Sequence, residues 1–149
     1  MTYNKHIKKI SNNIEKSLTT FFQSNGLKAK SNNSHGIDLI LEKHIFIEIK
    51  SCRKFIRHSE RIRYGAFSFK KNEFKQNIDY YIFVLKINST ENLDYIKKYD
   101  VFIIDKHQIV KMIKRKQILT HNRTNQTYYN LKKLKYQSLD NFLKKIKEN

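Results

Sequence analysis

Apolar residues recur along this chain with two different periods, and each change of period marks an element. Ile7, Ile10, Ile14, Leu18, Phe21 and Phe22 step by three and four, which predicts an amphipathic helix over roughly residues 4–24. Asn25-Gly26 supplies its stop. After a polar run from Lys28 to His35 the period falls to two. Gly36 to Leu41 and Ile45 to Ser51 flank Glu42-Lys43-His44 and predict a β-hairpin. In its second strand Ile45, Ile47 and Ile49 share one face, while Phe46, Glu48 and Lys50 share the other. Ala66-Phe67-Ser68-Phe69 predicts a short strand, and residues 70–77 a short helix. Tyr80 to Leu85 and Val101 to Ile104 are continuous apolar runs, expected of strands buried on both faces. Leu93 to Lys98 suits a short helical or irregular crossover between them. Asp105 is placed to cap a helix carrying Ile109, Met112 and Ile113. Residues 117–130 are polar without clear periodicity, and Ser138 stands at the N-cap of a closing helix with Leu139, Phe142, Leu143 and Ile146 on one side. The expected fold class is α/β, a mixed β-sheet flanked by helices in one domain spanning residues 1–149.

Charge sharpens this picture. There are 31 Lys and Arg against 13 Asp and Glu, a formal charge of +18. Such an excess points to a polyanionic partner, most simply nucleic acid. An AT-rich coding bias would supply Lys and Asn, but it would not hold the acids to 13. The single Cys52 excludes an intramolecular disulfide and a Cys-based zinc site. The six histidines are scattered without metal-binding spacing. No stretch reaches the ~18 apolar residues of a membrane helix, and Met1 to Lys9 lacks the apolar core of a signal peptide. The expectation is an intracellular, cytoplasmic protein without a membrane partner.

Within the hairpin the acids are unevenly placed. If Leu41 pairs with Ile45 around a three-residue turn, Asp38 falls opposite Glu48. Opposed residues share a face with Cβ atoms roughly 5 Å apart. Two like charges so placed repel, and a divalent cation between them removes the objection. Arg53, Lys54, Arg57, Arg61 and Arg63 follow directly, and Lys70 and Lys71 open the next helix, so all seven are candidates to track a phosphate backbone. Tyr128 and Tyr129 have the chemistry to stack on unpaired bases, although covering the core is the role expected of them.

Asp38, Glu48-Ile49-Lys50-Ser51, an upstream helix carrying Glu15 and two later buried strands resemble the PD-(D/E)XK nuclease superfamily. That group includes restriction endonucleases and archaeal Holliday junction resolvases, and the short basic chain with Glu15 is closest in style to the resolvases. Ile37 stands where the name-giving Pro usually precedes the Asp. The resemblance implies a restriction-endonuclease-like core over about residues 7–105 and a C-terminal helical extension over about 106–149. It implies Asp38 and Glu48 as Mg²⁺ ligands, the Ile49 carbonyl as a third, and Glu15 completing the shell through water, with Mn²⁺ able to substitute. Hard oxygen donors suit such an ion. Lys50 would hold or help deprotonate the attacking water. The implied activity is metal-dependent endonucleolytic hydrolysis of DNA, with a homodimer supplying two sites. The alternative is a nuclease-like module that binds DNA or RNA without cutting it.

Overall fold

The computed structural model describes residues 14–32, 36–56, 62–64, 66–86, 99–115 and 123–148. Helix α1 (14–24) is followed by strands β1 (Ala29–Ser31), β2 (Leu39–Leu41), β3 (Ile45–Ile56), β4 (Ile62–Tyr64) and β5 (Ala66–Lys70). A 3₁₀ turn (Lys71–Lys75) then leads to β6 (Tyr80–Lys86), β7 (Tyr99–Asp105) and helix α2 (Lys106–Arg115). The chain closes with β8 (Arg123–Thr127), α3 (Tyr128–Lys132), β9 (Gln137–Ser138) and α4 (Leu139–Glu148).

The fold is mixed α/β. Its main sheet runs β1-β2-β3-β6-β7-β9, with β4 paired to the distal half of β3, while β5 and β8 form a separate two-stranded ribbon. Among the described strands only β3 and β6 pair in parallel; the other pairs are antiparallel. A parallel pair needs a crossover, and here β4, β5 and the 3₁₀ turn make it. Strand β6 lies between β3 and β7, and every residue from Tyr81 to Leu85 is buried, which accounts for its unbroken apolar run.

Alternation along the strands divides the core in two. Leu39, Leu41, Ile47, Ile82, Val84 and Ile103 face α1 and α4, which deliver Ile14, Leu18, Phe22, Phe142 and Ile146. Tyr81, Phe83, Phe102 and Ile104 face the other way, against Phe67 and Phe69 of β5, Ile109, Met112 and Ile113 of α2, and Leu131 of α3. The closing segment therefore serves both layers. Asp105 accepts the Gln108 N–H at 3.0 Å, and Ser138 Oγ accepts the Asn141 N–H at 3.1 Å, so both expected caps are made.

The hairpin takes the register read from its alternation: Leu41 opposes Ile45 and Leu39 opposes Ile47. Its turn puts Glu42 and Lys43 at φ +52° and +66°, a left-handed pair without glycine. Such residues cost about 1 kcal/mol each, offset where Glu42 Oε1 accepts the Lys28 N–H at 3.0 Å and its own N–H meets Lys28 O at 2.8 Å. Several elements depart from the sequence expectation. The polar run after Lys28 contains β1, and the aperiodic stretch 117–130 contains β8 and the start of α3. The hairpin's second strand does not end at Ser51, since β3 continues to Ile56 and carries Arg53 and Lys54 within a strand paired to β4. The expected crossover at Leu93 to Lys98 and the helix before Ile14 lie outside the described residues.

Candidate acid and lysine site

Asp38 sits where β2 begins, and its backbone is clamped from both sides. Its N–H donates to Ile47 O at 2.9 Å, while its carbonyl accepts the Asn32 N–H at 2.9 Å. Gly36, two residues earlier, is left-handed at φ +83°, and an added Cβ would stand 2.7 Å from the Gln76 side chain. Only glycine meets both demands. The turn before Asp38 is thereby packed onto the segment that leads into β6.

Three carboxyl groups meet here in a row. Asp38 Oδ2 accepts the Ile49 N–H at 2.8 Å, and Glu48 and Glu15 lie close enough to act on the same carboxylate. Glu48 arrives from β3 on the face expected, while Glu15 reaches over from α1, whose Ile14, Leu18 and Phe22 are sunk in the core. Burial pushes the Glu48 carboxyl up to about 8, with the charge of Asp38 adding to it. Burial, again reinforced by Asp38, pushes Glu15 up to about 7. Asp38 is also raised by burial, but the Ile49 N–H and its two acid neighbours favour its charged form. Burial thus raises all three carboxyl groups, and Asp38 is the one whose neighbours pull it back toward its charged form. Glu48 Oε2 is buried with no hydrogen-bond partner, an acceptor without a donor.

Lys50 lies on the same face of β3, close enough to lower both Asp38 and Glu48. Its Nζ donates to Ser68 O at 2.7 Å and to Glu73 Oε1 at 3.2 Å. The ammonium also lies 4.8 Å from the Phe69 ring centroid and 5.8 Å from that of Tyr81. Glu73 is the residue that sequence reading missed. Besides Lys50 it accepts the Lys70 N–H at 2.6 Å and, through Oε2, the Tyr81 hydroxyl at 2.7 Å. Its sequence signal was slight: an acid three residues after the start of a helical turn, able to reach back to the chain. Cys52, the next residue on this face, packs against the same apolar layer, and burial pushes its thiol up to about 12. That is the mark of an inert cysteine.

Glu15, Asp38, Glu48 and Lys50 are thus brought together, and the Ile49 amide is committed to Asp38. Lys70 is exposed beside Glu73. Lys71 opens the 3₁₀ turn, Arg53 and Lys54 belong to β3, and Arg63 belongs to β4. Arg57 and Arg61 lie outside the described residues. Tyr128 covers the core as expected, its ring 5.8 Å from Phe102, but Tyr129, expected in the same role, is exposed because it points away from β7.

Among the described residues no group of three or more His, Cys, Asp or Glu side chains is arranged to hold a metal ion. The acids lie in a row with Asp38 central, an arrangement suited to a cation that takes two protein carboxylates and keeps waters. The orphaned Glu48 oxygen fits such an ion, whose charge would offset the repulsion between Asp38 and Glu48. No helix among the described residues is long and apolar enough to cross a membrane. The chain matches no family model, no curated protein and no solved structure.

Proposed function

We propose that this chain is a divalent-metal-dependent endonuclease of restriction-endonuclease-like fold that hydrolyses phosphodiester bonds in DNA. The observation that carries the proposal is the row Glu15–Asp38–Glu48, with an orphaned Glu48 oxygen, beside Lys50 on a chain of formal charge +18. A protein that only bound nucleic acid would gain nothing from three acids facing phosphates. Asp38 and Glu48 would hold Mg²⁺ or Mn²⁺, with the Ile49 carbonyl and Glu15 in support. The ion would supply an acidified water and offset charge on the scissile phosphate.

The chain's own residues divide the remaining work. Asp38 is oriented by the Ile49 N–H and so presents a fixed carboxylate. Lys50 carries a positive charge at the edge of the acid row, where it would orient water and neutralise phosphate. Glu73 fixes the Lys50 side chain and acts as a positioning residue. Cutting two strands, or a four-way junction, requires two such sites, so a homodimer acting on intracellular DNA belongs to the proposal.

The test is incubation of the purified chain with Mg²⁺ and labelled four-way junction, linear duplex, flap and single-stranded DNA. Asp38→Ala and Lys50→Ala are run beside the wild type. Metal-dependent cleavage lost in both variants supports the nuclease. The engagement of Lys50 by Glu73 and Ser68 favours one second reading, a module that binds without cutting. That reading takes over if folded wild type binds these DNAs and cuts none with Mg²⁺ or Mn²⁺.

A further inference from the structure

The closing segment of the chain carries a surface of different character. Among the described residues two large apolar side chains are exposed, Tyr129 at 58% and Tyr136 at 45%. Both belong to one patch. The Lys132 ammonium lies 4.2 Å from the Tyr136 ring centroid and 5.5 Å from that of Tyr128, and Tyr128 meets Tyr129 edge to face at 5.6 Å. The patch is anchored from below, because Phe102 of β7 touches Tyr128 at 5.8 Å and Tyr136 at 5.9 Å. Tyr128 and Tyr136 are therefore held by the core and Tyr129 leans on Tyr128, so less conformational freedom is left to lose on binding. Lys132 is itself paired with Asp100 at 3.2 Å, but the flanking Lys133 and Lys135 are exposed.

We infer that Tyr129 and Tyr136 form a stacking platform for unpaired bases of single-stranded nucleic acid, with Lys133 and Lys135 meeting its phosphates. Rings set among exposed ammonium groups suit a ligand that alternates flat apolar faces with anions. Every base offers such a face whatever its identity, and a paired base inside a duplex does not. The patch adjoins the acid site. Strand β8 runs from Arg123, opposite Lys70, to Thr127, which caps α3, and β5 gives its Ser68 carbonyl to Lys50. Five strand residues span roughly 14 Å, and Asn125 and Thr127 on that path are exposed. A single-stranded branch lying on the tyrosines would lead toward Lys50. The inference rests on the nuclease reading only in making that branch part of the substrate.

Binding without metal tests it. Fluorescence anisotropy in EDTA at fixed salt would compare an oligothymidylate of about 20 nucleotides with a blunt duplex and an abasic strand of equal length. The wild type should bind the oligothymidylate about tenfold or more tighter than the abasic strand. The double variant Tyr129→Ala/Tyr136→Ala should weaken oligothymidylate binding about tenfold to a hundredfold, and duplex binding less than about twofold. Tyr129→Phe/Tyr136→Phe should restore it, since the rings remain. Equal affinity for abasic and base-bearing strands, or equal losses on single strand and duplex, would overturn the platform. Cleavage enters none of these readouts. A platform that behaves as expected in a chain that cuts nothing leaves this inference standing and removes the nuclease.

Discussion

Two regions of this molecule contain the same local device. In one, Lys50 pairs with Glu73 at 3.2 Å, lies over Phe69 and Tyr81, and the Tyr81 hydroxyl donates to that same acid. In the other, Lys132 pairs with Asp100 at 3.2 Å, lies over Phe102, Tyr128 and Tyr136, and the Tyr128 hydroxyl donates to Asp100. A lysine, an acid and a tyrosine locked over rings are therefore no sign of catalysis in themselves. The surroundings separate the two. Lys50 borders two further carboxyl groups, Asp38 and Glu48, the second with a buried orphan oxygen, whereas Lys132 borders exposed Tyr136. The first lysine has unbalanced negative charge to act upon; the second has a surface to hold in place.

Removing each lysine should break the comparison most visibly. Lys50→Ala is expected to lower metal-dependent cleavage by about 10²–10⁴, the range for loss of a positioned proton-handling group. Thermal unfolding should show the fold retained. Lys132→Ala should act instead on binding of single strands, by releasing Tyr136. Steady-state cleavage of a blunt duplex separates the two variants. Comparable loss in both would mean that Lys50 is another structural lysine.

Glu73→Gln sharpens the same contrast. The variant keeps an acceptor for the Tyr81 hydroxyl but frees Lys50 from its ion pair. Cleavage should fall about tenfold through kcat, with KM held. Glu73 also raises Glu48 electrostatically, so its neutralisation should move the acidic limb of the pH–rate profile to lower pH. A purely structural Glu73 would reduce stability without displacing that limb.

The acid row makes a prediction for stability as well. Glu48 sits at about 8 in the fold against 4.5 in the unfolded chain. Between those values the folded chain holds the extra proton, so stability falls as pH rises through the window and levels off above about 8. Metal-free urea denaturation should therefore show greater stability near pH 5 than near pH 8, and millimolar Mg²⁺ should offset the loss. Glu48→Gln should flatten the profile and add on the order of 1–2 kcal/mol at the alkaline end. A flat wild-type profile would contradict the buried acid row.

Much of the fold was legible because it rests on local periodicity. The hairpin register followed from isoleucines at every second position and a three-residue turn, and that register brings Asp38 to Glu48. Strand β6 and the caps at Asp105 and Ser138 were equally plain. Three of the missed strands share one property: Ala29–Ser31, Arg123–Thr127 and Gln137–Ser138 are short and mostly polar. They become strands because a neighbour offers them a ladder, which no window of sequence contains. Glu73 escaped for the same reason, since its meaning lies in Lys50, twenty-three residues earlier. The tyrosine patch needed the fold to show which of two adjacent rings covers the core and which faces outward.

The smallest expected effect tests whether the two lysine devices differ in depth as well as in neighbours. Side-chain exposure is 13% and 10% for Lys50 and Glu73, but 21% and 24% for Lys132 and Asp100. A charge left unpaired costs more where water cannot reach it. Asp100→Asn keeps an acceptor for Tyr128 and leaves Lys132 its three rings, so it should cost only about 1 kcal/mol in urea denaturation, with the slope unchanged. Glu73→Gln strands a more deeply placed ammonium among Phe69, Tyr81 and the Ser68 carbonyl, and should cost roughly twice as much. Equal costs would mean that the rings, present on both sides, carry each lysine and that the paired acid matters little. The orientation of Lys50 would then owe nothing to Glu73, and the reading of Glu73 as its positioning residue would fall.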